Sequence, residues 1–346
     1  MPDRLGIVTR YLQNEVTYAA IQAAETARDH GVPTSILARS VCRREVCGSW
    51  DSRVISERGQ PFRRWATRCD RIVWTAVPPR HEVAFAKDLG IETGLLVNWE
   101  ELLPEHQGAA SVMDKLLIPY RCVSHVLSRK WRLKGRNILM PWDVPAPICH
   151  DKEKRHKRCI FFPLYDSQPQ RTDQLVFRLM QQTLENFKDT TILVACGRRW
   201  SISSRRMVRG LRKIYGDRAV LVVRPNMLER ILLFARSNLT VWPARFESFG
   251  LVGLHSLCMG TPVIAWDIRP HNEFLQAWKN SVLVPCKTSE NWLGVPEVDE
   301  KHAVFEECLL SLLRDRELLA KMEAHTHVGL ENRRKQHRAG WAEYLK

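Results

Sequence analysis

The 346-residue sequence has no apolar run near the eighteen or so residues that cross a bilayer. It has no internal repeat and no low-complexity tract, which excludes repeat architectures. The opening Met-Pro-Asp-Arg-Leu-Gly-Ile-Val-Thr enters a strand pattern at once and has no signal-peptide apolar region. Its ten cysteines are scattered, and Cys42 and Cys47 form the only close pair. Without a second pair of matching spacing they do not spell a zinc site. Several others lie in apolar runs, as buried thiols do. These absences predict a cytoplasmic, reduced protein. Acid is also short: 38 Asp and Glu face 53 Lys and Arg, a formal charge of +15. Such an excess implies an acidic partner, whether nucleic acid, an anionic membrane surface or a polyanionic polymer.

What is present is a rhythm of short apolar strands and amphipathic helices. Residues 5–9, a helix over 17–28 and residues 34–38 read as the first unit of a parallel sheet. Further strands are predicted at 71–77, 94–99, 115–119 and 137–141. Pro145-Ala146-Pro147 and the charge run from Asp151 to Arg158 mark a linker. A second series follows, with strands at 159–162, 192–197, 219–223, 240–242, 263–265 and 282–284. Helices are predicted at 174–187 and 227–236, from Phe274 onward, and as one amphipathic run from Phe305 to Glu323. The fold class is therefore α/β, with two Rossmann-like doubly wound domains. The domains run 1–145 and 159–325, with a linker at 146–158 and a terminal segment at 326–346.

The most informative stretch is Trp242 to Asp267, WPARFESFGLVGLHSLCMGTPVIAWD. It reads as strand, loop, helix, turn and strand. Gly260 stands where a helix C-cap belongs, with Pro262 beyond it. The helix begins near Phe249-Gly250, so its first N–H groups turn back toward the loop and form an anion site. Gly250 removes the Cβ that would hold a phosphate away, and Glu247 stands beside it.

This stretch resembles the donor-site signature of retaining GT-B-fold glycosyltransferases of the glycogen synthase and sucrose synthase type. Glu247, Phe249, Gly250, Gly260, Pro262, Val263 and Ile264 fall in step with it. The second Glu of the pattern, eight residues after the first, is His255 here. The resemblance implies two Rossmann-like domains facing a cleft, a terminal helix returning to the first domain, and sugar transfer with retention. It needs no metal and no cofactor beyond the nucleotide sugar, expected to be UDP-linked. Glu247 would fix the pose of the sugar. Ser248 and the N–H groups near Phe249, Gly250 and Leu251 would hold the diphosphate. His255 would face the ribose, where a neutral imidazole accepts one hydrogen bond in place of two. Arg171 is the candidate cation for the leaving diphosphate, while Gly197 and Arg224 lie on turns that border the nucleotide. Where the family carries a histidine pair that reaches the donor sugar, this chain has Trp74 and Ala76.

Two arginine-rich tracts bear on the acceptor. Residues 39–71 hold nine arginines, Arg43, Arg44, Arg63 and Arg64 among them, with Trp50, Phe62 and Trp65 interleaved. Arginine with aromatics is a composition that grips phosphates and stacks bases. Arg198, Arg199, Arg205, Arg206, Arg209, Arg212 and Lys213 form the second tract, and no acid occurs between Thr190 and Gly216. One expectation is duplex DNA carrying a hydroxymethylated pyrimidine, as for bacteriophage DNA glucosyltransferases acting in a host cytoplasm. Alternatives are a lipid-linked or cell-envelope glycan on an anionic membrane, and an inactive sugar-nucleotide-binding protein.

Overall fold

The structure, a computed structural model, describes residues 4–9, 15–38, 62–98, 102, 104–129, 131–133, 135–141, 158–164, 173–196, 202–223, 225–290, 296–299 and 302–346. The chain divides into two compact units. One comprises Met1–Asp143 with Asn332–Lys346, the other Val144–Glu331.

The first unit runs β1 (Leu5–Thr9), α1 (Glu15–Asp29), β2 (Thr34–Ala38), α2 (Phe62–Ala66), β3 (Arg71–Trp74), α3 (Arg80–Asp88), β4 (Glu92–Leu96), α4 (Gln107–Ala110), β5 (Lys115–Ile118), α5 (Arg121–Arg129) and β6 (Arg136–Leu139). Its strands pair in parallel in the order β2-β1-β3-β4-β5-β6. Every residue of β1 is buried, because a parallel strand is covered on both faces and reads as a continuous apolar run. Gly6 lets Trp65 approach, since a Cβ there would meet the indole at 2.5 Å.

The second unit runs β7 (Arg158–Leu164), α6 (Asp173–Asn186), β8 (Thr190–Cys196), α7 (Ile202–Tyr215), β9 (Ala219–Val223), α8 (Met227–Ala235), β10 (Leu239–Trp242), α9 (Leu251–Cys258), β11 (Val263–Trp266), α10 (His271–Phe274) and β12 (Ser281–Val284). A hairpin of β13 (Lys287–Glu290) and β14 (Pro296–Asp299) follows, then α11 (His302–Arg314) and α12 (Arg316–Ala324). The main sheet is parallel in the order β12-β11-β10-β7-β8-β9. The strand order reverses between β7 and β10. Right-handed crossovers then put α6 and α7 on one face and α9 on the other. Contacts of α6 with α7 and α11, and of α8 with α9, agree.

The last helix, α13 (Leu330–Tyr344), completes the first unit from Asn332 onward. His337 hydrogen-bonds the Pro141 carbonyl through Nδ1 at 2.8 Å, and its Nε2 meets the Thr26 hydroxyl at 3.3 Å. Arg71 and Lys115 both donate to the Tyr344 carbonyl, at 3.1 and 3.0 Å. Gly340 lies so close to β6 that a Cβ would stand 2.5 Å from the Leu139 carbonyl.

Three sequence expectations are corrected. The helix expected from Phe274 onward is instead the single turn α10, which ends as Leu275 becomes extended (φ −84°, ψ 134°). The single helix expected over 305–323 is two, because Asp315 leaves the helix and caps α12 by accepting from the Leu318 N–H at 2.9 Å. The β13–β14 hairpin lies beyond the strand expected to be last. The expected linker at 146–158 lies outside the described residues except for Arg158, which opens β7.

Candidate donor site of the second unit

In an open parallel sheet, ligands lie outside the strand C-termini where the order reverses. In the second unit that point is flanked by the segments leaving β7 and β10. The segment after β10 carries Glu247, and α9 begins four residues later. Arg171 falls in the segment after β7.

Glu247 is buried, and its Oε1 accepts from the N–H groups of Ser248 (2.9 Å) and Phe249 (3.2 Å). The carboxylate therefore organises its own loop. It also shifts the expected anion contacts. The Phe249 amide donates to Glu247, so the amides without an intrahelical acceptor are those of the first turn of α9, beginning at Leu251. Gly250 makes this turn possible. It caps α9 with φ 69° and ψ 25°, a left-handed conformation that costs a residue with a Cβ roughly 1–2 kcal/mol. The Leu254 N–H then closes on the Gly250 carbonyl at 2.9 Å. The first-turn amides and the helix dipole present partial positive charge at this end.

The loop is braced from two sides. Arg245 and Val298 of β14 exchange hydrogen bonds: the Val298 N–H donates to the Arg245 carbonyl at 3.1 Å, and Arg245 Nε donates to the Val298 carbonyl at 3.3 Å. Arg245 also pairs with Glu297 at 3.0 Å. Beside α9, the Trp242 ring lies 4.3 Å from that of His271, tilted by 43°, and 6.5 Å from that of Phe274. Gly253 of α9 presses on both indole and phenyl ring. His271 is fully buried and donates from Nδ1 to the Trp266 carbonyl at 2.9 Å. Burial pushes its pKa down to about 4. Neither brace was read from the sequence. The hairpin has no apolar alternation, and His271 gives no periodic signal. The one available cue was Gly253, a residue without a side chain inside a buried helix.

His255 lies in α9, buried, with Phe234 of α8 edge-on at 6.2 Å. Burial, helped by the nearby charge of Arg230, pushes its pKa down to about 4. The imidazole is therefore neutral near pH 7.

The structure thus gathers Glu247, Ser248, Phe249, Gly250, Leu251 and His255 on one loop and helix. Arg43, Arg44, Arg171, Gly197, Arg198, Arg199 and Arg224 lie outside the described residues. Arg205 lies on α7, and Arg206 is exposed there. Arg63 and Arg64 are exposed on α2 of the first unit, with Arg63 5.1 Å over the Phe85 ring. Of the aromatics expected to stack bases, Trp50 lies outside the described residues, and Phe62 and Trp65 are corrected. Trp65 is buried, and Phe62 joins it with Trp74 and Phe85 in one cluster at 6.0–6.4 Å. Trp74 is likewise core. Among the described residues no group of His, Cys, Asp or Glu could hold a metal, and no helix is long and apolar enough to cross a membrane.

Residues 171–294 match the family model "Glycosyl transferases group 1". A 56-residue stretch is 41% identical to D-inositol 3-phosphate glycosyltransferase of Jonesia denitrificans, covering 16% of this chain and 13% of that protein. The chain therefore spans only a small part of that relative. A glycosyltransferase from Rickettsia africae superposes with a TM-score of 0.72 at 13% identity, over 100% of this chain and 98% of that one. HepE of Anabaena, solved with UDP and glucose, does so with a TM-score of 0.72 at 12% identity, over 99% of each chain. The fold is GT-B, and Glu247, Gly250 and His255 lie within the matched family segment.

Proposed function

We propose that this chain is a metal-independent, retaining glycosyltransferase that takes its sugar from a UDP-linked donor. The supporting observation is the Glu247 loop. It sets a buried carboxylate beside a left-handed Gly250 and the start of α9, at the point where strand order reverses. Helix amides and arginine meet the diphosphate, and Glu247 meets sugar hydroxyls. In the transfer the bond from the anomeric carbon to the phosphate oxygen breaks. A bond from that carbon to the acceptor oxygen forms on the same face, and the departing phosphate takes the acceptor proton. Helix amides and Arg171 stabilise the charge that grows on the diphosphate. The UDP and glucose in the Anabaena neighbour support the donor class.

For the acceptor we propose a hydroxymethylated pyrimidine in duplex DNA, supported by the +15 charge and its concentration in arginine. The test incubates the protein with hydroxymethylated and plain duplexes and a mixture of nucleotide sugars, then measures nucleoside masses. A hexose added only to the hydroxymethylated base is the expected result. Donor consumption without DNA modification would replace this acceptor. No consumption of any donor would remove the enzyme reading.

A further inference from the structure

We propose that α7 is a docking surface for the phosphate backbone of duplex nucleic acid, through Arg206, Arg209 and Lys213, with Arg212 alongside. The proposal rests on the DNA-acceptor reading and locates where the duplex is held on the second unit. On α7, Val208 and Leu211 face the core, at 1% and 2% exposure. Arg206, Arg209 and Lys213 follow at i, i+3 and i+7 on the opposite side, and all are exposed, as is Arg212. Such spacing makes one continuous stripe. No carboxylate occurs on α7. Among the described residues none of these four cations forms an ion pair. The neighbouring Arg218 shows what a structural cation looks like. Its guanidinium donates to the carbonyls of Leu184, Phe187 and Thr190 at 2.7, 2.6 and 3.1 Å. The stripe has no comparable internal duty.

Its dimensions suit a duplex. Seven residues of helix rise about 10 Å from Arg206 to Lys213, and three phosphate steps along one strand of B-DNA advance about 10 Å. A membrane fits less well. An interfacial helix inserts large apolar side chains beside its cations, whereas Val208 and Leu211 are spent in the core. Among the described side chains of α7, Ile214, 72% exposed, is the one large apolar group left out. Because α7 follows β8 in a parallel sheet, its start lies at the strand C-terminal edge, the edge that also carries the Glu247 loop. Arg206 is the end of the stripe nearest that edge.

The test compares wild type with the variant Arg206→Gln/Arg209→Gln/Lys213→Gln, titrated with hydroxymethylated duplex between 50 and 200 mM salt. Each phosphate contact contributes roughly 0.9 to the salt slope. Removing three lowers the slope by about 2.7, so the variant loses about 40-fold less affinity than wild type across that range. A matching thermal midpoint shows that the variant is folded. The charge-retaining Arg206→Lys/Arg209→Lys keeps the wild-type slope. If wild type binds DNA with a steep salt dependence and the Gln variant has the same slope, this surface is wrong while the DNA reading stands. If wild type shows no salt-dependent DNA affinity, the DNA reading falls and the proposal with it. Flotation of wild type, but not of the Gln variant, with phosphatidylserine vesicles would reassign the stripe to a membrane and overturn the proposal.

Discussion

Glu247 holds its loop together and, in the proposed mechanism, holds the sugar; two substitutions separate these duties. Glu247→Gln keeps an amide oxygen where Oε1 accepts from Ser248 and Phe249, but loses the carboxylate. Glu247→Ala removes the acceptor as well. Hydrogen bonds to a charged group contribute about 1.5–3 kcal/mol each. These two share one oxygen, so the alanine variant is expected to lose about 2–3 kcal/mol in all. The glutamine variant should unfold within about 1 kcal/mol of wild type, the worth of a neutral bond exchanged for a charged one. Both should lose transfer by about a hundredfold or more, the cost of a misplaced reacting group. Urea unfolding and a donor-consumption assay on the three proteins supply the comparison. Full turnover in the glutamine variant would refute the role given to the carboxylate. An alanine variant as stable as wild type would refute the role given to it in the loop.

Gly253→Ala would put a Cβ 2.8 Å from Phe274 and 3.0 Å from Trp242. Overpacking of about 1–3 kcal/mol should lower the unfolding midpoint and raise the donor KM as the start of α9 shifts; an unchanged midpoint would contradict the packing argument. His271 has a folded pKa of about 4 against 6.5 unfolded, so its neutral form favours folding. That contribution is complete above pH 6.5 and is lost as pH falls through 4, reaching about 3 kcal/mol. His271→Asn keeps a donor for the Trp266 carbonyl, and its stability curve should be flatter by that amount between pH 7.5 and 4; a curve as steep as wild type would show that another group titrates. Gly340→Ala drives a Cβ against the Leu139 carbonyl. Amide exchange should then accelerate in β6 and α13 while the second unit is unaffected, and acceleration throughout would show that the units unfold together.

β1 was legible because an inner strand of a parallel sheet is buried on both faces; the edge strands β2 and β9 also have the ends expected from their apolar runs, although Val220 and Val223 of β9 are exposed. The Glu247 loop was legible because Gly250 and Gly260 take left-handed conformations that favour glycine, and Glu247 stands in fixed spacing beside them. Legibility failed where apolar spacing carries no information about direction. Leu309, Leu312, Leu313, Leu319 and Met322 keep helical spacing across Asp315, so the periodicity concealed a break that the capping aspartate signals. The side chains of β13 are all exposed, and no pattern announces such a strand. Phe62 and Trp65 show the opposite failure. Arginines beside aromatics look like a nucleic-acid surface, but only tertiary packing decides whether the rings face outward, and here they enclose Gly6 and Trp74.

The division of the chain bears on how it is made. Val144–Glu331 is one uninterrupted stretch, while the other unit needs Asn332–Lys346 to be complete. Translation therefore releases the β1–β6 strands before Val144–Glu331, and Asn332–Lys346 after it. Until Asn332–Lys346 emerges, the places taken by His337, Trp341 and Tyr344 stand open. Domains usually form in the order in which they leave the ribosome. In this protein Val144–Glu331 has every residue it needs before the other unit does, so a nascent chain stalled near residue 331 would carry a finished Glu247 loop beside an unfinished first unit.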